Sequence, residues 1–147
     1  SNEDDASDVF GIKAEGTDTT AGHLNNDGYL SVARQLKEKF GFKKVAITLR
    51  SSINANRNDW QALLYCDDND YAFSKKYEMW IVDRVGGGDS FASGLIYGLM
   101  TTGDAEIAVN YGAAHGALAM TTAGDTTTAR KKEVEAIMGG AGARVQR

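Results

Sequence analysis

Leu30, Ala33, Leu36 and Phe40 recur at intervals of three and four, which predicts a helix with one apolar face over residues 27–40. Lys37 and Lys39 suit its C-terminal end, and Gly41 is a natural stop. The short apolar, β-branched run at 44–49 predicts a buried parallel strand, and residues 51–59 read as a polar loop. Further strands are predicted at 60–66, 71–73 and 77–82, with the turn-rich Asp67-Asp68-Asn69-Asp70 between the first two. A helix over 91–100 directs Phe91, Leu95, Ile96 and Leu99 towards a core and gathers Ser90, Gly94 and Gly98 on a small face suited to close packing on the sheet. Asp104 is placed to cap a second helix running to about Met120, with Ile107, Tyr111 and Leu118 apolar, and a last helix over 129–138 stops at Gly139-Gly140. Before all of these come a short helix over 6–10 closed by Gly11 and a loop over 13–25 rich in Gly and Thr, and the final residues read as a frayed tail.

One segment carries chemistry. The run Met79-Trp80-Ile81-Val82 leads into Gly86-Gly87-Gly88, and a helical run leads out, so the order is strand, glycine loop, helix. Three glycines leave no side chain between the backbone amides and a bound group, and a helix start favours an anion such as a phosphate. Asp89 follows at once. Its carboxylate repels a phosphate, yet it is well placed to take the proton of a hydroxyl attacking one, so the segment points to phosphoryl transfer. No Lys-Ser or Lys-Thr follows the glycines and their spacing does not fit a dinucleotide fingerprint. The plain alternative is a strand-to-helix connection that needs glycine only for its turn.

With 147 residues one domain is expected, with room for a single core. A net charge of −4, with no basic cluster longer than Arg130-Lys131-Lys132, argues against a nucleic-acid partner or an anionic membrane surface. That triplet suits the first turn of a solvated helix. Cys66 is the sole cysteine, which excludes an internal disulfide and fits a reducing, cytoplasmic setting, and no signal peptide or membrane-length apolar run is present. His23 has no partner at metal-ligand spacing, His115 among Ala and Gly suits packing or a hydrogen bond, and residues 67–70 suit a solvated turn better than a calcium loop.

The stretch D-R-V-G-G-G-D-S-F-x-x-G, from Asp83 to Gly94, resembles the second signature of the ribokinase-like (PfkB) carbohydrate kinases, usually D-T-x-G-A-G-D-x-F-x-x-G. The resemblance implies an α/β fold, the C-terminal part of a three-layer α/β/α sandwich with a mainly parallel sheet. It assigns Asp89 as catalytic base and Gly86, Gly87 and Gly88 as the anion hole for ATP. Asn2 matches the Asn of the family's N-x-x-E motif and Asp5 stands in place of the Glu, so these two would hold Mg2+ through water. Thr48 matches the Thr of the nucleotide-binding T-x-G, while Arg50 replaces its Gly and either reaches a phosphate or extends into water. In the adenine-flanking A-x-x-x-V-T-R-x-G-A, Gly124 matches, Thr122 replaces the Arg and Asp125 the last Ala. By the same resemblance, carbonyls near Asp83, Val85, Ala119, Thr122 and Gly124 would hold a monovalent cation such as K+.

Within that family the motif, continued by Ala-Ser-Gly-Leu-Ile-Tyr-Gly-Leu from Ala92, is most similar to 2-keto-3-deoxygluconate kinases. This implies a sugar acid as substrate, with Arg84 either facing its carboxylate or bracing the loop. The resemblance covers nearly all of residues 1–147 as one domain but only the C-terminal half of a typical member, so the N-terminal half and the lid are expected to be missing. The implied partners are a sugar or sugar acid, ATP, and either the missing half or another copy of the chain. The alternatives are a fructokinase or ribokinase-type enzyme, a nucleotide- or phosphate-binding module without chemistry, and an unrelated α/β domain binding a flavin or sugar phosphate.

Overall fold

The computed structural model describes residues 11–12, 26–54 and 57–140. The periodic stretch forms helix α1 (Asn26–Phe40), which ends where the Gly41 amide donates to the Lys37 carbonyl at 2.8 Å. Four strands follow: β1 (Val45–Asn54), β2 (Arg57–Asp67), β3 (Asp70–Phe73) and β4 (Tyr77–Trp80). Their pairings are all antiparallel, which corrects the expectation of a parallel strand at 44–49 within a mainly parallel sheet, as far as the described residues go. The reason is the length of the connections. Two residues separate β1 from β2 and two separate β2 from β3, whereas a parallel neighbour needs a crossover of about a dozen residues.

The polar stretch 51–59, expected as a loop, instead prolongs this ribbon through the pairs Ser51 with Asp59 and Ser52 with Asn58. A backbone ladder satisfies its own donors and acceptors whatever the side chains are, so polarity alone misled. On the other edge of β2, β3 pairs near its C-terminal end and β4 near its N-terminal end. Buried Ser74 bridges the gap. Its amide donates to the Ala62 carbonyl (2.8 Å), and its hydroxyl accepts the Ala62 amide (3.0 Å). The strand expected to reach residue 82 stops at Trp80, because the amides of Val82 and Asp83 donate to the Met120 carbonyl at 2.9 and 3.3 Å.

The sheet is covered on both faces. Val45, Ile47 and Leu49, with Leu63 and Tyr65, meet Tyr29, Val32, Ala33 and Leu36 of α1. On the other face Trp60, Ala62 and Leu64 meet helices α2 (Gly87–Thr102) and α3 (Ala105–Met120) through Phe91, Val109, Ala113 and Met120. Full burial of a side chain such as Ile47, Leu63 or Val109 contributes about 1.5–3 kcal/mol. The small face of α2 packs on α3 rather than on the sheet. A Cβ at Gly94 would stand 2.6 Å from the Tyr111 carbonyl oxygen, and one at Gly98 would stand 2.5 Å from the Ala108 Cα. Ile96 is accordingly turned outward and exposed. Asp104 caps α3 as expected, accepting the Ile107 amide at 2.8 Å, and Ile107 itself is exposed. Helix α4 (Lys131–Met138) begins where the Arg130 amide donates to the Glu133 carboxylate at 2.6 Å, and it packs on α3.

The expected elements at 6–10 and 13–25, His23 and the tail lie outside the described residues. The Asp67–Asp70 turn is a hairpin. Asp68 there accepts the Tyr65 hydroxyl (2.6 Å) and pairs with Arg34 (2.7 Å). No described helix is long and apolar enough to cross a membrane.

Candidate phosphate site

The glycine loop is held from two sides. At its entry Asp83 accepts the Val85 amide on Oδ1 and the Gly124 amide on Oδ2, both at 3.0 Å. The Val85 amide first, then that of Gly124, holds the Asp83 carboxyl below the usual aspartate range, because an ionised acceptor takes both bonds better than a protonated one. Gly86 then adopts a left-handed backbone, φ 78°, and becomes the residue before the first turn of α2. Gly87 is buried against Met120, where a Cβ would approach the Met120 side chain to 2.9 Å.

Two donors are left over at the start of α2. The Gly87 amide is turned back towards the Arg84 carbonyl at 3.4 Å and the Ser90 amide donates to the Gly86 carbonyl at 2.9 Å. The amides of Gly88 and Asp89 have no acceptor among the described residues. Free amides in the first turn, reinforced by the helix dipole, attract an anion. Asp89 is exposed, and its carboxylate makes no hydrogen bond or ion pair among the described residues.

A cavity of about 340 Å³ lies between β1 and α2, lined among others by Thr48, Arg50, Trp60, Arg84, Gly87 and Gly88. The structure therefore brings Thr48, Arg50 and Arg84 to one space with the glycine loop. Thr48 and Arg50 project there because alternate residues of β1 face α2 while Ile47 and Leu49 face α1. Among the described residues, two arginines and no carboxylate line it beside an apolar wall that includes Trp60, Phe91, Leu95 and Met120, so the arginines offer positive charge to an anion there. Gly124 reaches the loop through Asp83 and does not line the cavity.

Of the carbonyls expected around a monovalent cation, that of Ala119 already accepts the Thr122 amide (3.1 Å) and hydroxyl (2.8 Å). Those of Asp83, Val85, Thr122 and Gly124 take no hydrogen bond among the described residues, so the set fits such an ion in part. Asn2 and Asp5 lie outside the described residues.

Sequence reasoning missed two residues that shape the site. Buried Trp60 donates its indole N–H to the Ala113 carbonyl at 3.0 Å and sets its ring edge-on to Phe91, with centroids 6.2 Å apart. Buried Asn58 reaches Arg84. Asn58 fell in the stretch read as a loop and carries no apolar signal of its own; only its register on β2, two residues before Trp60, sets it on the Trp60 face. A second cavity of about 220 Å³ is lined by Ser93, Tyr97, Tyr111, His115 and Lys131. Its polar groups are already paired with one another or with Glu135: Ser93 with His115 at 3.1 Å, Tyr111 with Glu135 at 2.5 Å, and Lys131 with Glu135 at 3.6 Å. His115 is thus a half-buried, hydrogen-bonded residue, as its setting suggested.

Comparison with known proteins bears on the same segment. The sequence profile of the pfkB family carbohydrate kinases matches residues 2–132. Among solved structures, the chain is similar to the 2-dehydro-3-deoxygluconokinase of Thermotoga maritima, with 39% identity and a TM-score of 0.84 over 95% of this chain and 40% of that one. It also resembles a chain from Enterococcus faecalis provisionally assigned as a 2-keto-3-deoxygluconate kinase (24% identity, TM-score 0.77, 97% and 40% covered). Phosphofructokinase-2 of Escherichia coli, solved with potassium, shares the fold at 15% identity and a TM-score of 0.64 over 95% and 39% of the two chains. The chain spans about two fifths of the length of these structures. No curated protein sequence matches it.

Proposed function

Because the chain belongs to the pfkB family of carbohydrate kinases and has the ribokinase-like α/β fold, we propose that it is the C-terminal, nucleotide-binding part of an ATP-dependent sugar-acid kinase acting on 2-keto-3-deoxygluconate. The observation that carries this reading is the pair of amides at Gly88 and Asp89 that find no acceptor among the described residues, beside the exposed Asp89 carboxylate and next to a cavity lined by Gly88, Arg50 and Arg84. The amides of Gly86, Gly88 and Asp89 hold the γ-phosphoryl group and take up charge as it transfers in line. Asp89 accepts the proton of the attacking hydroxyl. Thr48 and Arg50 bind the nucleotide phosphates, Arg84 faces an oxyanion, and Gly124 shapes the adenine side through its tie to Asp83.

Magnesium, when bound, neutralises charge on the β- and γ-phosphates, and Asn2 and Asp5 are the residues that would hold it through water. The partly free carbonyl set at Asp83, Val85, Thr122 and Gly124 suits a potassium ion that stiffens the loop. A cytoplasmic setting follows from the use of ATP. The choice of a sugar acid over a neutral sugar rests on the 39% identity to the Thermotoga enzyme. Most of the groups that grip the sugar, and any pairing along the outer edge of β1, belong to the part of the kinase that this chain does not span.

The test is calorimetric titration of the chain with Mg-ADP, beside Gly88→Val, whose Cβ enters open space with no atom within 4 Å and whose methyl groups obstruct the approach to the amides, with circular dichroism to show that the variant is folded. Saturable binding lost in the variant is expected; a folded chain that binds no Mg-ADP overturns the reading. In the whole kinase, Asp89→Asn is expected to lower turnover by roughly 10²–10⁴ with KM for ATP little changed. Undiminished turnover would remove Asp89 as the base.

A further inference from the structure

We propose that Asn58 is a positioning residue that holds the Arg84 guanidinium at the wall of the cavity beside the glycine loop, so that its positive charge faces an oxyanion there. The inference rests on the phosphate-site reading above and adds to it a residue outside the signature motif. Asn58 is only 3% exposed, on β2, opposite Ser52 of β1 and Met79 of β4. Asparagine is disfavoured in strands, and burying its amide costs stability unless both ends are bonded. Both ends find partners here. With the amide turned so that its nitrogen donates to the Arg57 carbonyl at 2.9 Å, its oxygen accepts from Arg84 Nη1 at 3.0 Å; the reverse orientation leaves 3.5 Å to Nη2.

The mount is stiff. The residues either side of Asn58 tie the same end of β2 down, through the ion pairs of Arg57 with Glu78 and of Asp59 with Lys76. Arg84 immediately precedes Val85-Gly86-Gly87-Gly88 and lines the cavity with Gly87 and Gly88. A guanidinium carries its charge in a planar fork, so a bond to Asn58 fixes the plane in which that charge meets an anion. An arginine side chain free to rotate would lose that orientation on each encounter, and the brace lowers the ordering cost of binding. The anion is either a nucleotide phosphate or the carboxylate of a sugar acid, and both offer the same planar pair of acceptors.

The experiment is a double-mutant cycle in the whole kinase that carries this segment, with Asn58→Ala, Arg84→Ala and the double variant titrated separately with Mg-ADP and with 2-keto-3-deoxygluconate. Arg84→Ala is expected to weaken one ligand roughly tenfold or more, and the affected arm identifies the phosphate or the carboxylate. Asn58→Ala should weaken that same ligand by several-fold, and the double variant should be no worse than Arg84→Ala alone. Additive losses, an unaltered affinity in Asn58→Ala, or no effect of Arg84→Ala on either ligand would overturn the proposal. Asn58→Asp, which keeps an acceptor for Arg84, should restore the arginine's fixed position and serves if the alanine variant does not fold. The side-chain Nε–H NMR signal of Arg84 gives a readout independent of ligand. It should be shifted from its free position in the parent chain and in Asn58→Asp, and revert in Asn58→Ala. The same signal in all three would sink the brace even if Mg-ADP binds, whereas failure of the parent to bind Mg-ADP with the signal difference intact would count against the kinase reading alone.

Discussion

A Cβ placed on Gly86 would stand 2.1 Å from the carbonyl oxygen of Asp125, in a chain segment far away in sequence. The glycine loop and the loop after α3 are therefore in backbone contact. Gly86 also has a left-handed φ of 78°, which costs a residue with a side chain about 1–2 kcal/mol. Gly86→Ala is expected to lose at least about 2 kcal/mol in urea denaturation, the clash adding to the backbone strain. Gly88→Ala is the control. It has ordinary φ and open space, so it should be neutral or gain up to about 1 kcal/mol. Equal stability of the two variants would contradict the close approach.

Asp83 joins the same two loops through its carboxylate, with its pKa below the ordinary 3.8 owing to the amides of Val85 and Gly124. A depressed folded pKa means that the unfolded chain takes up the proton first as pH falls. The tie is thus fully present above the ordinary value and is lost as pH drops through the lower, folded value. The amide NMR signals of Val85 and Gly124 should titrate together with a midpoint below 3.8, and Asp83→Asn should abolish that titration while leaving the rest of the spectrum in place. A midpoint at or above 3.8 would mean that the bonds do not favour the ionised form.

The helices α1, α2 and α3 were legible in the sequence because apolar spacing and end residues agree. Leu30, Ala33 and Leu36 share a face, Asp104 caps, and Gly41 stops α1. The glycine loop at the start of α2 was legible too, since Gly86 to Asp89 follow a β-rich run and open a helix. Strand direction was not. Ser51, Ser52, Asn58 and Asp59 carry no apolar signal, yet their backbones pair, and the pairing turns the ribbon back on itself. Nor did the sequence show which partner the small face of α2 prefers. Gly94 and Gly98 say that something comes close, and only the tertiary arrangement identifies Tyr111 and Ala108 as that neighbour. Asn58 was hidden for the same reason as the ribbon, because a polar residue in a polar stretch looks solvated until its register is known.

Trp60 fastens the sheet to both α2 and α3. Removing the indole N–H leaves its bond to the Ala113 carbonyl unmade, and removing the ring empties the space between Phe91 and Gly116. Trp60→Phe should cost about 1–2 kcal/mol and Trp60→Ala about 3–5 kcal/mol by chemical denaturation. A smaller loss for alanine than for phenylalanine would mean that Trp60 is not part of the packed core.

Tyr77 carries a buried hydroxyl with no hydrogen-bond partner among the described residues, and burial pushes its pKa from 10.0 up to about 12. Tyr77→Phe removes an unpaired polar atom, so it should be neutral or stabilising by up to about 1 kcal/mol at pH 7. The folded state keeps the phenol protonated longer than the unfolded chain does. Its contribution is therefore intact below about pH 10 and lost as pH rises towards 12, and the alkaline fall in stability should be shallower in the phenylalanine variant. Identical alkaline profiles would remove Tyr77 as a source of that fall.

The antiparallel ribbon has a kinetic consequence. Every strand pairing in it joins segments close along the chain, from the two-residue turns at either end of β2 to the β2–β4 contact that spans little more than twenty residues. Loop-closure entropy is low for such pairings, and sheets built from them form faster than sheets that await a distant strand. The ribbon can therefore pair its strands before α1, α2 and α3 have packed on its two faces.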